Sequence, residues 1–214
     1  MDRATLTPDH VAAVEQIRSA GHHLVALIDD VLDISSIESG QLALDVQPLD
    51  LSSVIDEALG LLQGEIEARD LTVHRATVPP GRIRGDRRRL LQVLLNLLSN
   101  AAKYNRRGGR IELDVRMTRE TMTVDIQDQG QGLAASDADR VFSPFDRLGQ
   151  ERLGRAKGTG LGLALSRQLV EAMGGAIGYG PRPDGGAGTL FGVRMPRARD
   201  DFSIAPDTAA HDRP

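Results

Sequence analysis

Glycine is unevenly distributed along this chain, and its distribution limits the folds that the chain can adopt. Of the 23 glycines among 214 residues, 17 lie between Gly108 and Gly192. Glycine permits a positive φ and a close approach of backbone to a ligand, so a local excess predicts loops that wrap around a bound group. A region of strands joined by turns would have the same composition. The glycine count alone does not decide between these two hypotheses.

Charge and composition exclude several classes of protein. The chain has 26 Lys and Arg against 30 Asp and Glu, so its net charge of −4 gives no broad positive surface for nucleic acid. It has no Cys, which excludes disulfides, thiolate metal sites and cysteine nucleophiles. No apolar run approaches the roughly 20 residues of a membrane-spanning helix, and the first ten residues lack the apolar core of a signal peptide. We therefore expect a soluble, cytoplasmic chain with no membrane segment and no nucleic-acid partner.

The spacing of apolar residues predicts helices and strands that do not alternate as βαβ units, which disfavours a dinucleotide-binding fold. The predicted helices are residues 7–37, about 51–68, about 87–104 and 161–173, with Asp50 or Ser52 capping the second and Asp86 capping the third. The predicted strands are 41–50, 71–78, 110–118, 122–127, 176–179 and 189–195. In the second helix we expect the following residues to face inward: Val54, Ala58, Leu61, Leu62 and Ile66.

The first predicted helix has a broad apolar stripe that includes Val14, Ile17, Leu24, Ile28 and Val31. One partner helix would hardly cover such a stripe, so the helix is expected to belong to a bundle. Two regions are predicted to lack regular structure. Residues 128–160 are rich in glycine and charge, as in a functional loop or lid, and residues 197–214 are expected to be a disordered tail or linker.

Asn96, Asn100 and Lys103 share one face of the third predicted helix, while its leucines cover a separate arc. Amide oxygens can ligate a hard cation such as Mg²⁺, and a lysine beside them would offset phosphate charge. A helix that merely turns polar residues toward solvent would have the same pattern. The spacing leaves both interpretations open.

Two glycine-rich segments follow. Residues 128–132 (DQGQG) come directly after a predicted strand, where a carboxylate could accept a hydrogen bond from an exocyclic amine, although an ordinary turn would fit this short pattern too. Residues 158–164 (GTGLGLA) lead into the fourth predicted helix, whose N-terminal N–H groups could bind phosphate. The sequence has no Walker motif.

These segments together resemble the catalytic ATP-binding domain of bacterial sensor histidine kinases, within the gyrase, chaperone, kinase and MutL ATPase superfamily. The matching motifs are the N box at 96–104, the first glycine box at 128–132, the phenylalanine box at 141–147, the second glycine box at 158–162 and a weaker last box at 186–191. The resemblance covers about residues 40–196. It implies an α/β (α+β) two-layer sandwich, in which helices cover one face of a mixed sheet, preceded by a bundle helix.

The resemblance also implies which residues bind ATP and Mg²⁺. Asn100 would ligate Mg²⁺ with Asn96 beside it, Lys103 would pair with phosphate, and Asp128 would bind the adenine amino group. A lid between Phe145 and Gly158 would close over the triphosphate, with Arg147, Arg155 or Lys157 as phosphate contacts. The remaining residues expected at the nucleotide are Tyr104, Gly130, Gly132, Thr159, Gly160, Leu161, Gly162 and Thr189.

Asn96 distinguishes between branches of that superfamily. The gyrase-like and MutL-like ATPases have a water-activating Glu four residues before the metal-binding Asn, and an amide cannot act as a general base. We therefore expect slow hydrolysis and transfer of the γ-phosphoryl group to another nucleophile, which favours a kinase over a hydrolytic ATPase.

The resemblance divides the chain into residues 1–40, part of a dimerisation domain, residues 41–196, the catalytic domain, and the tail. Residues 21–40 resemble the second helix of the dimerisation domain, and none of His10, His22, His23 and His74 has the phosphoacceptor context. The expected partners are a His-bearing dimerisation helix outside this chain, a response-regulator receiver domain and, in the full-length protein, a second copy. The alternative is a nucleotide-binding pseudokinase or interaction module without transfer activity.

Overall fold

The computed structural model describes residues 8–134, 137, 140–146 and 159–198. These form four helices and seven strands. The helices are α1 (Pro8–Glu38), α2 (Leu51–Ala68), α3 (Arg87–Lys103) and α4 (Gly162–Ala172). The strands are β1 (Gln47–Asp50), β2 (Thr72–Arg75), β3 (Arg82–Gly85), β4 (Arg110–Met117), β5 (Thr121–Gln127), β6 (Ala176–Gly180) and β7 (Leu190–Pro196).

Two helices begin where aspartate caps were predicted. The side chain of Asp50 accepts a hydrogen bond from the Ser52 amide at 3.0 Å at the start of α2. The side chain of Asp86 accepts one from the Arg89 amide at 3.1 Å at the start of α3. Each carboxylate satisfies an N–H group that has no partner within its helix, which fixes the residue at which the helix begins.

The main sheet has five strands in the order β2-β4-β5-β7-β6, with a parallel β2–β4 pair and antiparallel pairs elsewhere. The hairpin predicted from residues 110–127 is confirmed, with Val115 opposite Val124. In β4 the alternate residues Ile111, Leu113 and Val115 are buried and the residues between them are not. One face of the sheet therefore carries the core.

Helices α2, α3 and α4 supply the other layer, with α3 packed between the other two and against β5. Leu90, Leu94 and Leu97 of α3 are fully buried in the core. The predicted two-layer α/β sandwich with a mixed sheet is confirmed.

A second, two-stranded sheet pairs β1 with β3 and was only partly predicted. Residues 41–46 were predicted as strand and are not, although Leu42, Leu44 and Val46 are half-buried as their alternation suggests. β3 was missed because four residues between a turn and a helix carry little pattern of their own. In α2, the expectation for Leu61 was wrong: its side chain is 63% exposed, and Ile55 is buried instead.

Helix α1 presents most of its apolar stripe outward. Val14, Ile17 and Leu24 are exposed, while Ile34 and Ile37 near its C-terminal end pack against the core. In the part of the chain that the structure describes, no helix is long and apolar enough to cross a membrane. At the other end, Arg197 pairs with Ile83 and Ala198 is buried, so the packed domain continues two residues into the segment predicted as a tail.

Candidate functional site

A cavity of about 620 Å³ lies between α3, the end of β5, the start of α4 and the start of β7. Ten residues predicted from the sequence to bind nucleotide line it. They are Asn96, Asn100, Lys103, Tyr104, Asp128, Gly132, Thr159, Gly160, Gly162 and Thr189. The fold thus brings together segments that are up to 93 residues apart in sequence.

The polar face of α3 forms one wall of this cavity. The Asn96 amide nitrogen donates to Ser166 Oγ of α4 at 2.9 Å, and the Asn100 amide nitrogen donates to Asn96 Oδ1 at 3.4 Å. A methyl group on Gly162 would lie 2.4 Å from Asn96 Oδ1. The polar residues of α3 therefore face α4 and the cavity, which decides against a merely solvated face.

Asp128 lies at the end of β5 and is 5% exposed. Its amide donates to the Thr189 carbonyl oxygen at 3.0 Å, and its Oδ1 accepts from the Gly130 amide at 2.7 Å. Burial raises the pKa of this carboxyl group, although hydrogen bonds from Gly130 and Thr189 and the charge of Arg182 act in the opposite direction. A buried carboxylate that is held by backbone donors is suited to accept a hydrogen bond from a ligand.

Two glycines allow the backbone to close around Asp128. A methyl group on Gly130 would lie 2.2 Å from the Tyr104 carbonyl oxygen, which joins the end of α3 to this loop. Gly188 has a φ of +131°, and a methyl group there would lie 2.0 Å from the Asp128 carbonyl oxygen. Both positions therefore require glycine, as a ligand-binding loop needs and a simple turn does not.

The cavity has two chemically different ends. At one end the Tyr104 carbonyl oxygen adjoins Gly130, whose amide donates to Asp128, and Asn96 lies beside α4 at the other end, about 12 Å away at 1.5 Å per helical residue. Lys103 lines the cavity together with Asn96 and Asn100, and its Nζ lies 5.0 Å from the centre of the Tyr104 ring. Leu133, Val141 and Phe191 add apolar surface. The arrangement suits a ligand with a flat polar group at one end and negative charge at the other.

The start of α4 differs from the starts of α2 and α3 in the part of the chain that the structure describes. Its N-cap residue, Leu161, makes no side-chain cap hydrogen bond, in contrast to the aspartates of α2 and α3. The Leu161 amide donates to Thr159 Oγ1 at 3.1 Å, and the Phe145 amide donates to the Gly160 carbonyl oxygen at 3.0 Å. An uncapped helix N-terminus at a cavity can accept an anion.

Some predicted residues are not placed at the cavity. Gly130 and Leu161 are not among the described residues that line it, and the Leu161 side chain is buried at 1% exposure. Arg147, Arg155, Lys157 and Gly158 lie outside the described residues, as does most of the predicted lid.

Other residues at the cavity were missed by the sequence analysis. Ala26 and Asp30 of α1 and Glu65 of α2 line it. Burial raises the pKa of the Asp30 carboxyl group, with further contributions from the charges of Asp33 and Asp29. No local pattern could have identified Ala26 and Asp30, because only the packing of α1 against the domain brings them to the cavity.

Comparison with known proteins gives one family match and many relatives. Residues 85–199, more than half of the chain, match the family described as histidine kinase-, DNA gyrase B-, and HSP90-like ATPase. Sensor protein GacS of Pseudomonas syringae pv. syringae is 33% identical over 210 residues, which are 94% of this chain and 23% of GacS. Histidine protein kinase DivJ of Caulobacter vibrioides is 34% identical over 211 residues, which are 98% of this chain and 34% of DivJ.

Among solved structures, full-length ShkA in complex with AMPPNP superposes with a TM-score of 0.77 at 28% identity. The match covers 91% of this chain and 40% of ShkA. The chain therefore spans 23% of GacS, 34% of DivJ and less than half of this structural neighbour.

Proposed function

Since this chain belongs to the family of histidine kinase-, DNA gyrase B- and HSP90-like ATPases and is an ATP-binding catalytic domain of the sensor histidine kinase type, we propose that its cavity binds ATP with Mg²⁺ and presents the γ-phosphoryl group to a histidine. The single observation that carries the proposal is the buried Asp128 carboxylate at one end of a cavity whose other end has amides and an uncapped helix N-terminus.

Asp128 is proposed to recognise the adenine. Its carboxylate would accept a hydrogen bond from the exocyclic amino group, while Gly132 and Thr189 line the same part of the cavity. A site built to accept such a bond rejects a base that offers a carbonyl oxygen there, because two acceptors would face each other without a proton. The relative with a bound AMPPNP, an adenine nucleotide analogue, supports the choice of adenine.

Asn96, Asn100, Lys103 and Thr159 are proposed to surround the triphosphate, together with the N-terminus of α4. Because the Asn100 amide nitrogen donates to Asn96, the Asn100 carbonyl oxygen is the atom that would ligate Mg²⁺. Among the described residues no group of three or more His, Asp and Glu side chains could hold a metal. A single amide oxygen from Asn100 fits Mg²⁺, which commonly takes one or two protein oxygens and keeps waters and phosphate oxygens as its other ligands. When bound, Mg²⁺ supplies neutralisation of the phosphate charge.

The proposed reaction is transfer rather than hydrolysis. The bond between the γ-phosphorus and the oxygen of ADP would break, and a bond to a histidine ring nitrogen would form. Asn96, an amide held by Ser166, offers no base to activate water. We propose that the histidine belongs to a dimerisation helix, that the whole protein is a homodimer, and that the phosphoryl group passes on to an aspartate of a response-regulator receiver domain.

Titration of the chain with ATP, with and without Mg²⁺, tests the proposal. We expect Mg²⁺ to raise the affinity for ATP. In Asn100→Ala this increase should be at least tenfold smaller, while the affinity for ATP without Mg²⁺ should be nearly unchanged. Glu57→Gln, in an exposed ion pair with Arg87, is the control and should behave as the wild type. Absence of ATP binding by the wild type would refute the proposed function, and steady phosphate release at several turnovers per second would favour a hydrolase.

A further inference from the structure

Arg182 is a buried arginine in the β6–β7 loop and was not identified from the sequence. Its side chain is 6% exposed. Nε and Nη2 donate to Asp184 Oδ1 and Oδ2 at 3.0 and 2.6 Å, and Nη1 donates to the Asp128 carbonyl oxygen at 3.2 Å. Nη2 also lies 3.8 Å from Glu112 Oε1 of β4. One guanidinium thus ties the loop to the residue after β5.

The loop around this arginine is shaped to reach Asp128. The Gly186 amide donates to Asp184 Oδ1 at 3.0 Å, so the carboxylate that grips Arg182 also fixes the turn. A methyl group on Gly188 would lie 2.8 Å from Arg182 Cδ as well as against Asp128. Thr189 follows at once and lines the cavity. Arg182 is therefore the packing and hydrogen-bonding centre of the segment that holds Asp128 from behind.

The ion pair with Asp184 alone would satisfy a structural role within this loop. Arg182 Nη1, however, reaches outside the loop to the Asp128 carbonyl oxygen. Among the residues that the structure describes at the cavity lining, Arg182 is absent, so it would act on a ligand only through other groups. Its fork reaches the main chain of the residue that is proposed to recognise the base.

We propose that Arg182 is a positioning residue for adenine recognition, which fixes the main chain of Asp128 and so holds its carboxylate in place as a hydrogen-bond acceptor. This proposal rests on the proposed function. Burial raises the pKa of Asp128, and the nearby charge of Arg182 lowers it, in the direction that this role requires. The charged groups near this position include Arg182 itself, Glu112 and Asp184 on its far side, and Arg106, which contacts the neighbouring Gln129. The same cavity is also lined by Lys103, Asp146, Asp30 and Glu65.

The test compares ATP and GTP affinities in Arg182→Met, Arg182→Lys and Asp184→Ala. For Arg182→Met we expect ATP affinity to fall about tenfold while GTP affinity changes little, since the loss of a charged hydrogen bond is felt only through the acceptor of the adenine amine. Arg182→Lys keeps the charge and should recover about half of that loss on a logarithmic scale. The acid limb of the ATP-binding pH profile should move to higher pH in Arg182→Met and much less in Arg182→Lys.

Arg75→Met is the matched control. Arg75 is a half-buried arginine of the outer strand β2, and it pairs with Asp56 and Ser52 of α2. The variant should keep the affinities and the pH profile of the wild type. Asp184→Ala keeps the Arg182 bond to the Asp128 carbonyl oxygen and the charge of Glu112 3.8 Å away, and we expect a threefold to fivefold loss of ATP affinity from the loosened fork.

Three results would overturn the proposal. The first is wild-type ATP affinity in a folded Arg182→Met variant, or in Asp184→Ala if the former does not fold. The second is a parallel loss of ATP and GTP affinity with an unchanged pH profile, which would mean that Arg182 only stabilises the fold. The third is absence of ATP binding by the wild type, which would remove the proposed function as well. The first two leave that function intact.

Discussion

An ion pair between Asp33 of α1 and Arg89 of α3 fixes α1 against α3, and its removal should release α1. Arg89 Nη1 and Nη2 contact Asp33 Oδ2 and Oδ1 at 2.5 and 2.8 Å. The side chains of Arg89 and Asp33 are 8% and 20% exposed, which distinguishes this pair from the exposed ones on the surface. We predict that Asp33→Asn makes the docking of α1 less favourable without unfolding α3.

The magnitude follows from what Arg89 would lose. Removal of one partner of a buried ion pair costs about 3–5 kcal/mol, mostly because the other charge stays buried without compensation. Arg89 Nε is already buried without a hydrogen-bond partner among the described residues, while Nη1 keeps a 3.0 Å bond to Gln92 Oε1. Since Asp33 is partly exposed and Gln92 remains, we expect about 2 kcal/mol. That corresponds to a roughly thirtyfold smaller ratio of docked to undocked helix.

Hydrogen exchange of backbone amides in α1 and α3 measures this ratio. Exchange of residues 24–38 should accelerate by about the same factor of thirty in Asp33→Asn, while exchange in α3 stays slow. Arg89→Met and the double variant complete a cycle in which the two changes are strongly non-additive. Glu15→Gln removes an exposed pair with Arg18 within α1 and is the control. Unchanged protection of residues 24–38 in Asp33→Asn would refute the reasoning.

Two further predictions concern the adenine end of the cavity. Gly188→Ala should weaken ATP binding at least tenfold, because φ is +131° and the methyl group would meet the Asp128 carbonyl, whereas Gly178→Ala, with nothing within 4 Å, should bind normally in the same titration. Asp128→Asn should be more stable than the wild type at pH 7, because the raised pKa makes ionised Asp128 a cost to the fold. That advantage in thermal unfolding should shrink as the pH falls through the pKa of Asp128, and an advantage that grows toward acid pH would contradict it.

Features that depend on neighbours in sequence were predictable. Asp50 and Asp86 were identified as caps because a carboxylate reaches amides only two or three residues ahead. The boundaries of α3 and the β4–β5 hairpin follow from patterns of the same kind. β3 and the side on which Leu61 lies were not predictable, because each depends on which distant element packs there. Pairing with β1 defines β3, and its own four residues do not.

The site divides in the same way. Asn96, Asn100 and Asp128 were found from spacing and motif, and all three line the cavity. Arg182 and Asp30 were not found, since neither lies in a recognisable motif and each reaches the site through tertiary packing. Residues that touch a shared ligand repeat from protein to protein as motifs, whereas residues that hold them in place can be supplied by any nearby segment. Sequence motifs therefore predict the residues that contact the ligand better than the residues that hold those in position.

The glycine excess has two physical causes, so neither of the initial hypotheses was sufficient alone. Gly130, Gly162 and Gly188 lie where a methyl group would come within 2.4 Å of another residue, in each case one that lines the cavity or adjoins it. Gly178 and Gly180 of β6 have nothing within 4 Å and could be replaced without a clash. The first kind is required because backbone, and not side chain, forms the walls around Asp128 and beside Asn96. Gly132 and Gly160, with φ of +75° and +73°, also line the cavity, and a count of glycines cannot separate these positions from those of β6.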